Sequence, residues 1–270
     1  MKNTLPISLL FILSITLACH PPKSKSTPPN IILIMADDMG SETVSANGGE
    51  SYQTPHLDQM AVEGIRFEHC YSQPLCTPSR VQIMTGIYNI RNYVRFGFLD
   101  TTQTTFGHLF KAAGYATCVV GKWQLGKDPM SPQKAGFDEH CLWQLEKGSR
   151  DGPTRDSRYS KPVLEMKGEI KTYEKHDYGP EVVSNYGLDF MKRMTEKQQP
   201  FLLYYPMILP HCPFSPSPDS EEWNSDREAV MTYKGNADYF EDMVAYVDKI
   251  VGNINQQLEA LGIDENTMII

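Results

Sequence analysis

The segment Asn30-Ile31-Ile32-Leu33-Ile34-Met35-Ala36 is apolar without alternation and stops at Asp37-Asp38-Met39-Gly40. A strand with water on one face alternates apolar and polar residues. An unbroken apolar run suits a central strand covered on both faces. Such strands belong to mostly parallel sheets flanked by helices, so the run predicts an α/β domain. It also predicts where chemistry sits. Ligands of open α/β sheets bind beyond the carboxyl ends of the strands, and Asp37 and Asp38 fall at such an end.

Later segments fit the same architecture. Tyr115–Val120 and Pro200–Tyr205 read as further buried strands. Thr54-Pro55 opens a helix, with Thr54 as N-cap, Leu57, Met60 and Ala61 on one face and Gly64 as stop. Thr105–Ala113 reads as a helix closed by Gly114, and Pro180–Met194 as another. Asp238–Leu261 is the longest expected helix; Val244, Val247, Val251, Ile254, Leu258 and Leu261 form its apolar stripe, and Gly262 ends it. Ile65–Tyr71 is expected to be extended. The polar stretch Ser149–Tyr178 reads as an excursion with one hairpin. Asn266-Thr267-Met268-Ile269-Ile270 reads as the first half of another buried strand. Residues 30–270 are therefore read as one domain whose C-terminal part is missing.

The first nineteen residues read as a signal peptide. Lys2 precedes the apolar stretch Ile7–Leu17, which is too short to span a bilayer and ends at Ala18-Cys19. The Pro- and Ser-rich segment 20–29 is a tether. This pattern resembles a bacterial lipoprotein signal with Cys19 as the lipidated residue; the plainer reading is an ordinary cleaved signal. Either way the protein is expected to be exported, as a periplasmic or outer-membrane lipoprotein or as a secreted protein. Membrane contact is expected only through that anchor. An exported compartment permits disulfides. Cys70, Cys118, Cys141 and Cys212 are the remaining candidates, with all pairings open, although Cys118 reads better as a core residue. Lys and Arg number 25 against 33 Asp and Glu, a net charge of −8. No broad basic field exists for nucleic acid, and an anionic substrate would need a local cationic pocket.

Three further segments carry chemistry: Leu75-Cys76-Thr77-Pro78-Ser79-Arg80, continued by Met84-Thr85-Gly86; Gly121-Lys122-Trp123-Gln124-Leu125-Gly126; and Leu209-Pro210-His211-Cys212-Pro213-Phe214. Singly, each has a plain structural reading. Thr77-Pro78-Ser79 suits a helix-opening turn, Asp37-Asp38 a strand-end turn and His211 a surface loop. Together, in this order, they resemble the type I, formylglycine-dependent sulfatases of the alkaline phosphatase superfamily.

That resemblance implies an alkaline-phosphatase-like α/β fold with helices on both faces of a mostly parallel sheet. It implies hydrolysis of a sulfate monoester on a sulfated carbohydrate or aryl sulfate. Cys76 would be oxidised to formylglycine by a sulfatase-maturation enzyme, and Arg80 would orient that nucleophile. Lys122, Gln124 and His211 would bind sulfate, with His211 protonating the leaving alcohol. Calcium would be held by Asp37, Asp38 and the modified Cys76, with further ligands beyond this sequence. Gln124 departs from the family, which has a histidine there; an amide cannot act as a base. Tyr88–Tyr93 is a candidate sugar subsite. His56, His69, His108, His140 and His176 match no family position. Two alternatives stay open: a phosphoester or phosphonate hydrolase of the same superfamily, and a catalytically inert protein that binds sulfated glycans.

Overall fold

A computed structural model describes residues 27–143, 158–174, 176–223 and 235–270. The expected signal peptide with Cys19, and all of the tether except 27–29, lie outside the described residues. Seven strands form one sheet: β1 (Asn30–Met35), β2 (Ala116–Lys122), β3 (Glu139–Trp143), β4 (Val163–Met166), β5 (Glu169–Thr172), β6 (Phe201–Pro206) and β7 (Thr267–Ile269). Their order is β5-β4-β3-β2-β6-β1-β7. The five strands from β3 to β7 in that order run parallel, with β1 aligned to β6 through Leu33 and Tyr204. The β4–β5 hairpin joins the β3 edge antiparallel, and it is the hairpin expected within 149–178.

The helices among the described residues are α1 (Pro55–Glu63), α2 (Cys76–Thr85), α3 (Asn89–Asn92), α4 (Phe106–Ala112), α5 (Ser131–Lys134), α6 (Gly179–Glu196) and α7 (Phe240–Leu261). They cover both sheet faces. Every residue of β2 and β6 is buried, as their unbroken apolar runs require. Successive side chains go to opposite faces. Cys118, Val120, Leu203 and Tyr205 join one core with Val183 and Phe190 of α6 and Val247 and Val251 of α7. Val119, Leu202 and Tyr204 join the other, with Val81 and Met84 of α2 and the partly buried Phe106 of α4. No helix among the described residues is long and apolar enough to cross a membrane.

Three local expectations change. Ile65–Tyr71 joins no strand; no described segment pairs with it, and Ile65, Phe67 and Tyr71 are exposed. The candidate disulfide cysteines are free thiols. Cys118 and Cys141 lie inside β2 and β3, where burial raises the first thiol's pKa and pushes the second up to about 12. Finally, Thr54 stands at the N-cap of α1 but its side chain does not cap it. Its hydroxyl is engaged by the Ser45 N–H at 3.0 Å and by Asp58 at 3.2 Å. The acceptor comes instead from α7. The buried Asp248 carboxylate receives the His56 N–H at 3.1 Å and the Leu57 N–H at 2.9 Å, tying the first turn of α1 to a helix far along the chain. Removing it with Asp248→Ala strands two helix-terminal donors. It is expected to cost about 1–3 kcal/mol in chemical denaturation, whereas unchanged stability would contradict this cap.

Candidate active site

Four segments meet beyond the carboxyl ends of the parallel strands. β1 leads into Asp37 and Asp38, β2 ends on Lys122 and leads into Gln124, and β6 leads through Met207 to His211. α2 points its N-terminus at the same place, with Cys76 as its first residue and Arg80 one turn on. Backbone bonds hold the loops together: Asp37 N–H donates to Leu209 O at 2.9 Å and Met207 N–H to Met35 O at 2.8 Å. The Thr77 hydroxyl reaches Gln124 O at 3.4 Å, linking α2 to the Lys122 loop. Gly121 has φ +116°, and a Cβ there would lie 2.0 Å from Pro206 O, so only glycine lets β2 deliver Lys122 beside β6.

Asp37 is the centre. Its carboxylate is buried and sits against two buried cations: Lys122 Nζ lies 2.6 Å from Oδ2 and Arg80 Nη2 3.3 Å from Oδ1. Arg80 Nη1 also donates to Lys122 O at 2.7 Å. Burial works to raise the Asp37 pKa, but Arg80, Lys122 and His211 together outweigh it and hold the carboxyl below its ordinary range. Two cations against one carboxylate leave a buried positive excess, and Arg80 Nε has no hydrogen-bond partner. Arg80 and Lys122 are themselves almost fully buried, with side chains 0% and 1% exposed.

His211 stands at the opposite side of the Asp pair. Its Nε2 lies 3.2 Å from Asp38 Oδ2, on a carboxylate whose side chain is 59% exposed. Burial is the largest influence on the imidazole and lowers its pKa; Lys122 and Arg158 act the same way, against Asp37 and the Cys212 carbonyl. Asp38 and Gln124 both hold positive φ, 60° and 54°, a conformation that costs a non-glycine residue about 1–3 kcal/mol and concentrates at functional sites. The Gln124 Oε1 is buried without a hydrogen-bond partner.

An open cleft of about 1340 Å³ runs past Asp37, Asp38, Cys76, Ser79 and Tyr88. Cys76 is partly exposed there. Of the candidate sugar subsite, Tyr88 lines this cleft. Arg158 carries no motif and lies in the polar excursion, so nothing in the sequence marked it. It stacks on Trp143, with its guanidinium carbon 4.4 Å from the ring centroid, and reaches His211 Nδ1 at 2.7 Å.

The charge arrangement fixes a consequence for stability. Asp37→Ala leaves Arg80 and Lys122 buried side by side without their shared carboxylate, which is expected to cost about 3–5 kcal/mol. Urea denaturation of the two proteins measures it, and a loss below about 1 kcal/mol would show that the cations are not held as described.

A family model described as Sulfatase matches residues 29–270. Mouse N-acetylgalactosamine-6-sulfatase is 33% identical over 271 aligned positions, covering 90% of this chain and 49% of the relative. The N-acetylglucosamine-6-O-sulfatase of Bacteroides thetaiotaomicron is 32% identical over 216 positions, covering 77% of this chain and 35% of the relative. Among solved structures, Ps i-CgsB superposes with a TM-score of 0.74 at 28% identity, over 90% of this chain and 57% of that one. A phosphonate monoester hydrolase of Agrobacterium radiobacter has a TM-score of 0.63 at 19% identity, covering 90% and 61% of the two chains, and shares the fold alone. The chain spans about half the length of the mouse relative and more than half of each of these two structures. Its matched motifs meet at one sheet edge, and the family model covers everything from the first strand to the last, so the chain belongs to the sulfatase family.

Proposed function

We propose that this protein hydrolyses sulfate monoesters on carbohydrates. The observation that carries the reading is the buried positive excess of Arg80 and Lys122 over Asp37, set at the N-terminus of the helix that begins with Cys76. A helix N-terminus and two fixed cations suit a tetrahedral oxyanion.

Each residue then has a task. Cys76, as formylglycine, would supply an oxygen nucleophile that later releases sulfate by re-forming its aldehyde, a step for which an ordinary serine has no second hydroxyl. Arg80 and Lys122 hold the sulfate and offset charge that grows as the ester bond breaks. Gln124 Nε2 can donate a hydrogen bond to sulfate but can move no proton. His211 gives its Nε2 proton to the departing alcohol oxygen. Asp37 keeps the two cations apart and oriented.

Calcium fits this site in kind. Carboxylate oxygens suit a hard cation, and Asp38 presents its carboxylate to the cleft. No cluster of three His, Cys, Asp or Glu gathers among the described residues, so Asp37 and Asp38 would supply part of a shell of about 6–8 oxygens. Bound there, the cation would draw the sulfate and the nucleophile's oxygen together.

The names of the mouse and Bacteroides relatives make 6-sulfated N-acetylhexosamines the first substrates to try. Export, with a lipid on Cys19, completes the reading and rests on the N-terminal sequence alone. After expression with a maturation enzyme, the Cys76 peptide should carry an aldehyde in mass spectra. Cys76→Ser should lower turnover by about 10³-fold or more and leave the fold intact. An active preparation with an intact thiol would overturn the nucleophile assignment. Faster turnover of an aryl phosphate than of the matching aryl sulfate would move the activity to phosphoester hydrolysis.

A further inference from the structure

The charge of the chain is not spread evenly. From His69 to Lys127 there is one acidic residue, Asp100, against six basic ones: Arg80, Arg91, Arg95, Lys111, Lys122 and Lys127. Yet the whole chain carries a net charge of −8. Arg80 and Lys122 belong to the Asp37 cluster, and Lys111 pairs with Asp138 at 2.6 Å. Arg91, Arg95 and Lys127 are exposed and form no ion pair with a described residue. The two acids near them are engaged elsewhere. Asp100 accepts the Thr102 N–H at 2.9 Å and its hydroxyl at 2.8 Å, and Asp128 is paired with Lys134.

These three cations border the active-site cleft. The Asn89 side-chain amide donates to Pro78 O at 3.0 Å, and the Gly97 N–H donates to the Thr77 hydroxyl at 3.0 Å. Both acceptors lie in the first turn of α2, beside Cys76. The Leu99 N–H donates to Leu125 O at 2.9 Å, next to Gln124. Arg95 stands two residues from Gly97 and Lys127 two residues from Leu125, a backbone span of at most about 7 Å in each case. Arg91 follows Tyr88 by three residues, and Tyr88 lines the cleft. The Arg95 guanidinium rests over Phe98, 4.4 Å from the ring centroid, which limits its freedom. Tyr88 and Phe96 are 73% and 53% exposed and offer apolar faces to a sugar ring.

We propose that Arg91, Arg95 and Lys127 form a surface at the rim of the cleft that binds anionic groups on sugars adjoining the one inside it. The inference rests on the sulfate-ester reading above and narrows its substrate class. The ligand is a polyanionic oligosaccharide, in which sulfate or uronate groups flank the ester to be cleaved. Charge complementarity favours it: the chain is acidic elsewhere, and its exposed cations without acidic partners gather beside the nucleophile. A glycan engages cleft and rim together, which a membrane surface does not.

Binding can be read without turnover, in protein made without a maturation enzyme. Calorimetric titration compares a hexasaccharide of alternating uronate and 6-sulfated N-acetylhexosamine with the 6-sulfated monosaccharide. At low salt the hexasaccharide is expected to bind on the order of tenfold more tightly. The triple variant Arg91→Gln, Arg95→Gln, Lys127→Gln is expected to remove most of that advantage, whereas Lys192→Gln, an exposed lysine of α6, keeps it. A hexasaccharide with its carboxyls reduced to alcohols separates the two sources: a retained advantage assigns the rim to sulfate, a lost one to carboxylate. Equal affinity of the wild-type chain for hexasaccharide and monosaccharide overturns the inference, even if the triple variant does not fold. So does a folded triple variant that keeps the advantage; if that variant loses binding to phosphatidylglycerol vesicles instead, the surface belongs to a membrane. A matured chain that binds the hexasaccharide as expected but releases no sulfate would count against the sulfate-ester reading alone.

Discussion

The site depends on one buried carboxylate. Asp37 ends the central run of β1 and is held between Arg80 from α2 and Lys122 from β2. Alone, either cation would be prohibitively costly to bury. Together with Asp37 they become a tolerable cluster whose remaining charge is positive. The same contacts bind three separated segments into one surface. Loss of Asp37 would therefore remove both the counter-charge and the geometry.

That cluster is the local group of buried cations on which the proposed anion site of this acidic chain rests. The net charge of −8 describes the surface as a whole. Inside the cluster, groups shielded from water interact more strongly than they do in solvent. Two non-glycine residues held at positive φ, Asp38 and Gln124, flank this cluster. The packed β2, β6 and α2 cores supply the rigidity that keeps them there.

Much of this was legible in the sequence, for physical reasons. β2 and β6 declared themselves because strands buried on both faces must be largely apolar; β1 shares the unbroken run, yet only Asn30 and Ile32 of it are buried; and α6 and α7 were legible because a helix on a sheet carries a stripe. Asp37, Cys76, Arg80, Lys122 and His211 could be placed together because their motifs, taken in order, resemble those of the sulfatases. What the sequence hid was long-range. β3 (Glu139–Trp143) mixes Glu139 and His140 into a fully buried strand, satisfied by Arg193 and by Glu165, so no apolar run announced it. Asp248 looked like one more polar residue on α7, yet it caps α1. Thr54 had the right type and position for that task, and tertiary contacts took its hydroxyl elsewhere. Arg158 sits in a polar segment without periodicity, and only the folded chain brings it to His211.

The central claim is that Arg80 and Lys122 form an anion site over Cys76, and competition at Cys76 tests it most directly. In protein made without a maturation enzyme, Cys76 remains a thiol and lines the open cleft. Its alkylation by iodoacetamide can be followed by peptide mass spectrometry with and without inorganic sulfate at constant ionic strength. The account predicts that sulfate slows alkylation of Cys76. Equal rates at Cys76 with and without sulfate would contradict it.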